Sequence, residues 1–303
     1  MREHPAEAAA LTPSARVPRE RSTRIRGARL AWREWGEECG TPVIALHGWL
    51  DNAASFDALA PLLSGCRVIA LDLPGNGQSD HRGPEGSYNI WDDLPDLVAL
   101  ARELELERYR VLGHSRGAAI GTLLSAVEQQ RVSSLVLLDG LTAPPFDPAD
   151  TVIQLRAFAH DYGAREARPG RVFATVDEAI EARCRASGTD PRAVAMLVER
   201  SLEACEGGFR WRTDARLRYA SALKLSAPHI RAIFAGVTAP ALLVLAGDTR
   251  ARLAQMPGIT DPFPDLAIEE IPGPHHWHML ESARSIADCI LDFWRKRDRS
   301  QDD

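Results

Sequence analysis

Gly113-His114-Ser115-Arg116-Gly117 sets a serine between two glycines at the spacing G-x-S-x-G, where an apolar run ends and a helical pattern begins. A serine hydroxyl on such a strand-to-helix turn stands clear of the sheet. It can attack a carbonyl carbon if a base takes its proton. The spacing has a steric cause: strand and helix pass close together, so Gly113 and Gly117 must lack side chains. The helix that opens after Ser115 points unpaired N–H groups, and the positive end of its dipole, at the place where an oxyanion would form.

The partners of such a serine are an acid and then a histidine, in that chain order. The base is sought in Pro272-Gly273-Pro274-His275-His276-Trp277-His278, a loop between the last strand and the last helix. His276 is the expected base, with His275 and His278 in support. Two acids end strands on the same sheet edge, Asp139 and Asp248, and either residue also suits a cap or turn. The expected oxyanion donors are the N–H groups of Arg116 and of Trp49, the latter just after His47-Gly48. Three histidines in one loop raise the question of a metal. Adjacent ligands in a carboxylate-poor stretch argue against one, and no metal or cofactor is expected.

The elements that must position these residues follow from apolar patterning. Apolar runs at 42–46, 67–71, 109–112, 134–138 and 241–245 read as buried strands, and 266–271 as the last strand. Helical spacing occupies 90–106 and 118–127 and closes the chain at 283–295. Alternating polar and apolar residues around Gly27 predict a hairpin over 24–34. Residues 1–22, rich in Ala, Pro, Arg and Ser without periodicity, read as a flexible N-terminal tail. The alternation of strand and helix predicts a mostly parallel sheet covered on both faces, formed by 23–140 and 238–298. Between them, 141–237 shows helical stretches and no buried strand. It is expected to form a helical cap over the strand ends, where open sheets bind ligands.

Bulk composition narrows the function classes. With 303 residues, 45% hydrophobic and 26% charged, the chain has the make-up of an ordinary globular protein. A formal charge of −6 argues against nucleic acid as a partner. No apolar run approaches the roughly 20 residues that span a bilayer, and no secretory signal is evident at the N-terminus. Five scattered cysteines in no metal spacing point to a reducing, cytoplasmic setting. A small molecule is the expected partner.

Together, Gly113-His114-Ser115-Arg116-Gly117, His47-Gly48-Trp49, Asp72-Leu73-Pro74-Gly75-Asn76-Gly77 and the His276 loop resemble the α/β-hydrolase superfamily over about 24–295. Within it, His47-Gly48-Trp49-Leu50-Asp51-Asn52-Ala53-Ala54-Ser55-Phe56-Asp57, Leu138-Asp139-Gly140-Leu141 and His275-His276-Trp277-His278 resemble the serine hydrolase-like proteins. The resemblance implies an eight-stranded α/β-hydrolase sheet, a helical cap and cofactor-free serine chemistry. It implies an acid three residues after Gly247, where this chain has Arg250, which cannot serve. The acid is then expected to be Asp139, a location used in other branches, with Asp248 as the alternative. The residue after the nucleophile is often apolar or an amide in relatives, and here it is Arg116. Its side chain, with His47 and His114, is expected to face the substrate, where it would bind an anion or else pair with a local acid. The activity implied is cleavage of a small ester, thioester or amide through an acyl-serine. A ligand-binding protein without catalysis, or carbon–carbon bond cleavage by the same triad, are the competing expectations.

Overall fold

The chain opens with a hairpin, β1 (Arg19–Ile25) and β2 (Ala28–Trp35), followed by β3 (Thr41–Leu46) and β4 (Cys66–Leu71). This is a computed structural model, and it describes residues 17–163, 170–247 and 249–299. Next come α1 (Leu94–Glu103), β5 (Tyr109–His114), α2 (Arg116–Val127) and β6 (Val132–Leu138). A long insertion follows: α3 (Thr151–Gly163), α4 (Val176–Ser187), α5 (Pro191–Ser201), the short pair β7 (Leu202–Cys205) and β8 (Gly208–Trp211), then α6 (Ala227–Ala235). The chain closes with β9 (Ala241–Leu245), α7 (Thr249–Ala254), β10 (Leu266–Glu270) and α8 (Ala283–Arg299).

Eight strands form one sheet in the order β1-β2-β4-β3-β5-β6-β9-β10. Only β2 runs against its neighbours β1 and β4; the remaining pairs are parallel. The central strands are apolar on both faces because helices cover both. On one face Leu97, Leu100, Ile120, Leu124, Ile230 and Phe234 from α1, α2 and α6 pack on Ile44, Val111 and Leu135. On the other, Ile286, Ile290, Phe293 and Trp294 of α8 pack on Val43, Leu112 and Val136. The parallel register aligns the carboxyl ends: Leu46 lies beside Gly113, and His114 beside Leu138. Ser115, Asp139 and the loop after β3 therefore leave the sheet at one edge.

Three expectations are corrected. The first strand begins at Arg19, inside the segment expected to be tail; residues 1–16 lie outside the described residues. The pattern that placed the hairpin at 24–34 missed the first residues of this strand because it is an edge, exposed along most of its length. It is held instead by charge pairing in register, Arg19 to Glu34 and Glu20 to Arg33. Second, the insertion is not purely helical. α5 stops at Ser201 and the chain turns back at Glu206-Gly207, with Gly207 at φ +84°, to make β7 and β8. Third, α6 belongs to the sheet-covering layer rather than to a cap, since Ile230 and Phe234 are in the main core.

Candidate active site

The β5-to-α2 turn places Ser115 at φ 52°, ψ −114°, a strained region for a side-chain-bearing residue. The strain is held by packing. Ser115 N–H bonds Leu138 O at 3.0 Å, and a Cβ on Gly117 would come within 2.0 Å of Leu46 O. Glycine at 117 is thus what lets α2 start against β3. As the first residue of α2, Arg116 offers a backbone N–H that no helical carbonyl can take.

Ser115 Oγ stands 2.9 Å from His275 Nε2. His275 Nδ1 stands 2.5 Å from Asp139 Oδ2. The other Asp139 oxygen accepts the Ala246 N–H at 2.9 Å. With Nδ1–H donating to the carboxylate, Nε2 is free to accept the serine proton. Burial works against the charge of Asp139. Hydrogen bonds from His275, Thr249 and the Ala246 N–H nonetheless hold its carboxyl below the ordinary value, so it stays an anion.

The base expected from sequence was His276, and the structure corrects that assignment. Trp277 N–H bonds Pro274 O at 2.9 Å, closing a tight turn. Within it, the consecutive rings of His275 and His276 lie at 84° to one another. Only His275 faces Ser115. His276 turns behind it, with Nε2 3.3 Å from Asp51 Oδ2 and Nδ1 3.5 Å from Thr189 Oγ1. His278 is fully buried against the His114 ring, 4.2 Å between centroids. Asp139 is where an acid must be; Asp248 lies outside the described residues. Arg250 points elsewhere, to Glu270 at 3.2 Å.

His47 and His114 do not face a substrate, because both are fully buried. His47 Nε2 accepts the Leu73 N–H at 3.0 Å and Nδ1 donates to Gly48 O at 2.8 Å; it anchors the loop after β3. His114 Nε2 donates to His275 O at 2.9 Å, bracing the base from below. Burial pushes His47 below the ordinary histidine value, and His114 and His278 well below it, so all three stay neutral. The Arg116 guanidinium is claimed by Asp93 Oδ2 at 3.0 Å and Tyr88 O at 3.2 Å, which favours its pairing with a local acid. The Trp49 indole is half exposed and donates to Leu217 O at 3.0 Å, tying this loop to the insertion.

Ser115, Arg116, Asp139 and His275 open onto a cavity of about 420 Å³. Its walls are largely apolar: Ile90, Ala119, Leu141, Leu245, Leu253 and Met256. The sequence reading expected 141–237 as a whole to cover the strand ends as a helical cap. Yet the wall comes from Leu141-Thr142-Ala143-Pro144 and from residues in and just after α7, a helix no pattern revealed. It also missed Asp51, whose carboxylate lies behind the base. Burial opposes the charge of Asp51, but His276 and Arg183 hold it far below the ordinary value.

Residues 41–177 match the family model of the alpha/beta hydrolase fold. A serine hydrolase-like protein of Danio rerio is 29% identical over 285 residues, spanning 88% of this chain and 85% of that one. The solved structure of a hypothetical protein from Pseudomonas aeruginosa PAO1 is 36% identical, with a TM-score of 0.87 over 91% of this chain and 99% of that one. The thioesterase domain from the curacin biosynthetic pathway superposes with a TM-score of 0.77 at 23% identity, over 91% of this chain and 99% of that one, a likeness of fold.

Proposed function

Since the chain belongs to the α/β-hydrolase superfamily, in the serine hydrolase-like branch, we propose that it cleaves a small carboxylic ester, thioester or amide through an acyl-serine intermediate. One observation carries this reading: the Ser115–His275–Asp139 chain of hydrogen bonds ends at the floor of an apolar cavity.

In the proposed reaction, His275 Nε2 takes the hydroxyl proton as Ser115 Oγ bonds to the carbonyl carbon. The backbone N–H groups of Arg116 and Trp49 receive the oxyanion. The scissile bond breaks as His275 gives its proton to the leaving group. Water then attacks the acyl-serine with His275 again as base, releasing the acid and restoring Ser115. Asp139 holds the imidazole in the required tautomer and offsets the charge it gains. The loop that carries Trp49 is fastened to the insertion, which we read as a lid over this edge. Five free thiols suit a cytoplasmic setting. Among the described residues no helix is long and apolar enough to cross a membrane.

Labelling with a fluorophosphonate probe, beside hydrolysis of p-nitrophenyl esters of graded acyl length, tests the reading. Wild type is expected to label and turn over, and Ser115→Ala to do neither. A folded wild type that neither labels nor hydrolyses any member of the series would overturn it in favour of ligand binding without catalysis.

A further inference from the structure

Behind the base, the fold assembles a second group of ligating atoms that the hydrolytic reading does not use. Asp51 Oδ2, His114 Nδ1 and His276 Nε2 lie within 4.8 Å of one another. They come from three separated parts of the chain: the loop after β3, the end of β5 and the loop after β10. The histidine loop alone has no carboxylate to offer. The fold brings it Asp51.

The tautomer of His114 makes this arrangement unusual. Its Nε2 donates to His275 O, so Nε2 carries the proton and Nδ1 presents a lone pair. That Nδ1 is fully buried and, among the described residues, has no hydrogen-bond partner. It faces Asp51 Oδ2, another acceptor, at 3.8 Å. A buried lone pair facing a carboxylate at this distance is placed to receive a cation shared between them. Arg183 does not provide it, because it binds the opposite oxygen, Asp51 Oδ1, at 2.6 Å. The wedge between the two acceptors is kept open by Gly48. A Cβ there would come to 2.7 Å from Asp51 Oδ2 and 2.9 Å from His114 Nδ1.

We propose that Asp51, His114 and His276 form a binding site for one divalent transition-metal ion, zinc or cobalt in character. Two imidazole nitrogens and one carboxylate oxygen are the donors such ions prefer, with a further position left for water. Bonds of about 2.0–2.2 Å need donors roughly 3.4 Å apart. The Asp51–His276 and Asp51–His114 separations, 3.3 and 3.8 Å, approach that spacing. His276 now turns Nε2 to Asp51, so ligation requires its proton to move to Nδ1, where Thr189 Oγ1 at 3.5 Å is placed to accept it. Arg183 and the His275 carbonyl then orient the carboxylate and His114 from the outer shell. His276 is the most exposed of the ligands, 15% of its side chain against 1% for Asp51, and marks the side from which the ion arrives.

The test adds cobalt(II) to purified protein after chelation and dialysis, in wild type, His276→Gln, Asp51→Asn and a surface control, His229→Gln. Wild type and the control are expected to hold one equivalent and to show the intense visible bands of a low-coordinate cobalt site. Both ligand variants are expected to lose at least tenfold in affinity. Repeating the titration on Ser115→Ala keeps it independent of hydrolysis, so the fate of the catalytic reading does not affect this one. No retained equivalent in folded wild type overturns the proposal, whatever the variants do. So does unchanged binding by His276→Gln, which alters a partly exposed loop residue.

Discussion

Two adjacent histidines divide the work at the site, and substitution separates them. His275→Ala removes the ring that bonds Ser115 and is expected to lower kcat by about 10⁴-fold or more. His276→Ala is expected to cost at least a hundredfold less, because it acts through the loop rather than on the serine. Steady-state hydrolysis with active-site titration checks the ordering, and equal losses would return the base to uncertainty. Asp139→Asn is expected to cost about 10⁴-fold in kcat with little change in KM, since a neutral amide cannot hold the reactive tautomer. Ser115 was legible in the sequence because it ends a buried strand at an abrupt glycine-bearing turn, whereas the same feature left Asp139 and Asp248 both open as the acid. Which of His275 and His276 faces the serine was not legible. Their order in sequence is the same either way, and only the turn closed by Trp277 and Pro274 decides it. The roles expected of His47 and His114 failed for a related reason: sequence position near a nucleophile does not distinguish a ring facing the cavity from one holding the backbone beneath it.

Strands and helices were readable wherever a single face or both faces must be apolar. β3 to β6 and β9 show continuous apolar runs because helices cover them on both sides. The start of β1 and the β7–β8 hairpin escaped because charge and backbone pairing, not apolar burial, hold them. Glu34 shows how such an edge is fastened. It is almost completely buried and accepts from Arg19 at 2.9 Å and Arg67 at 3.0 Å. Burial opposes its charge, but these two guanidinium groups hold its carboxyl below the ordinary 4.5. A depressed folded value means the stabilisation is whole above about pH 4.5 and is lost as pH falls through the folded value. Glu34→Gln is therefore expected to cost about 2 kcal/mol at pH 7, with the gap from wild type narrowing below pH 4.5. Urea denaturation across that range checks it, and a pH-independent gap would refute the ion-pair account. At the elbow the constraint is steric instead. Gly117→Ala sets a methyl against Leu46 O, so β3 and α2 must separate, at a cost of about 1–3 kcal/mol measurable by the same denaturation.

On the scale of the whole molecule, one buried cation joins the insertion to the core. Arg200 of α5 has no exposed side-chain surface. Its Nε bonds Asp72 Oδ2 at 2.7 Å, and its Nη1 bonds Glu20 Oε2 at 2.6 Å. Asp72 follows β4 and Glu20 lies in β1, so three distant stretches meet at one guanidinium. Beside it, Asn52 Nδ2 donates to Leu197 O at 2.8 Å and to Ser201 Oγ at 2.7 Å. The loop that carries Trp49 and Asp51 is thereby clamped between core and insertion. The composition of 191–201 could show an amphipathic helix but not this bond, because an arginine facing solvent and one facing a buried carboxylate look alike in sequence. Removing one member of a buried pair leaves the other charge uncompensated, which costs about 3–5 kcal/mol. Arg200→Met is accordingly expected to lower Tm by roughly 6–10 °C. Asp72 keeps the Ala53 and Gln78 N–H groups as donors, both at 2.8 Å, so it stays in place. Neutralising it as well should then relieve the penalty: Arg200→Met with Asp72→Asn is expected to be more stable than Arg200→Met alone. A double-mutant cycle by thermal denaturation reads this coupling directly. If the two losses simply add, Arg200 holds the insertion by packing and not by its charge on Asp72, and the joint rests on its apolar contacts and the remaining hydrogen bonds.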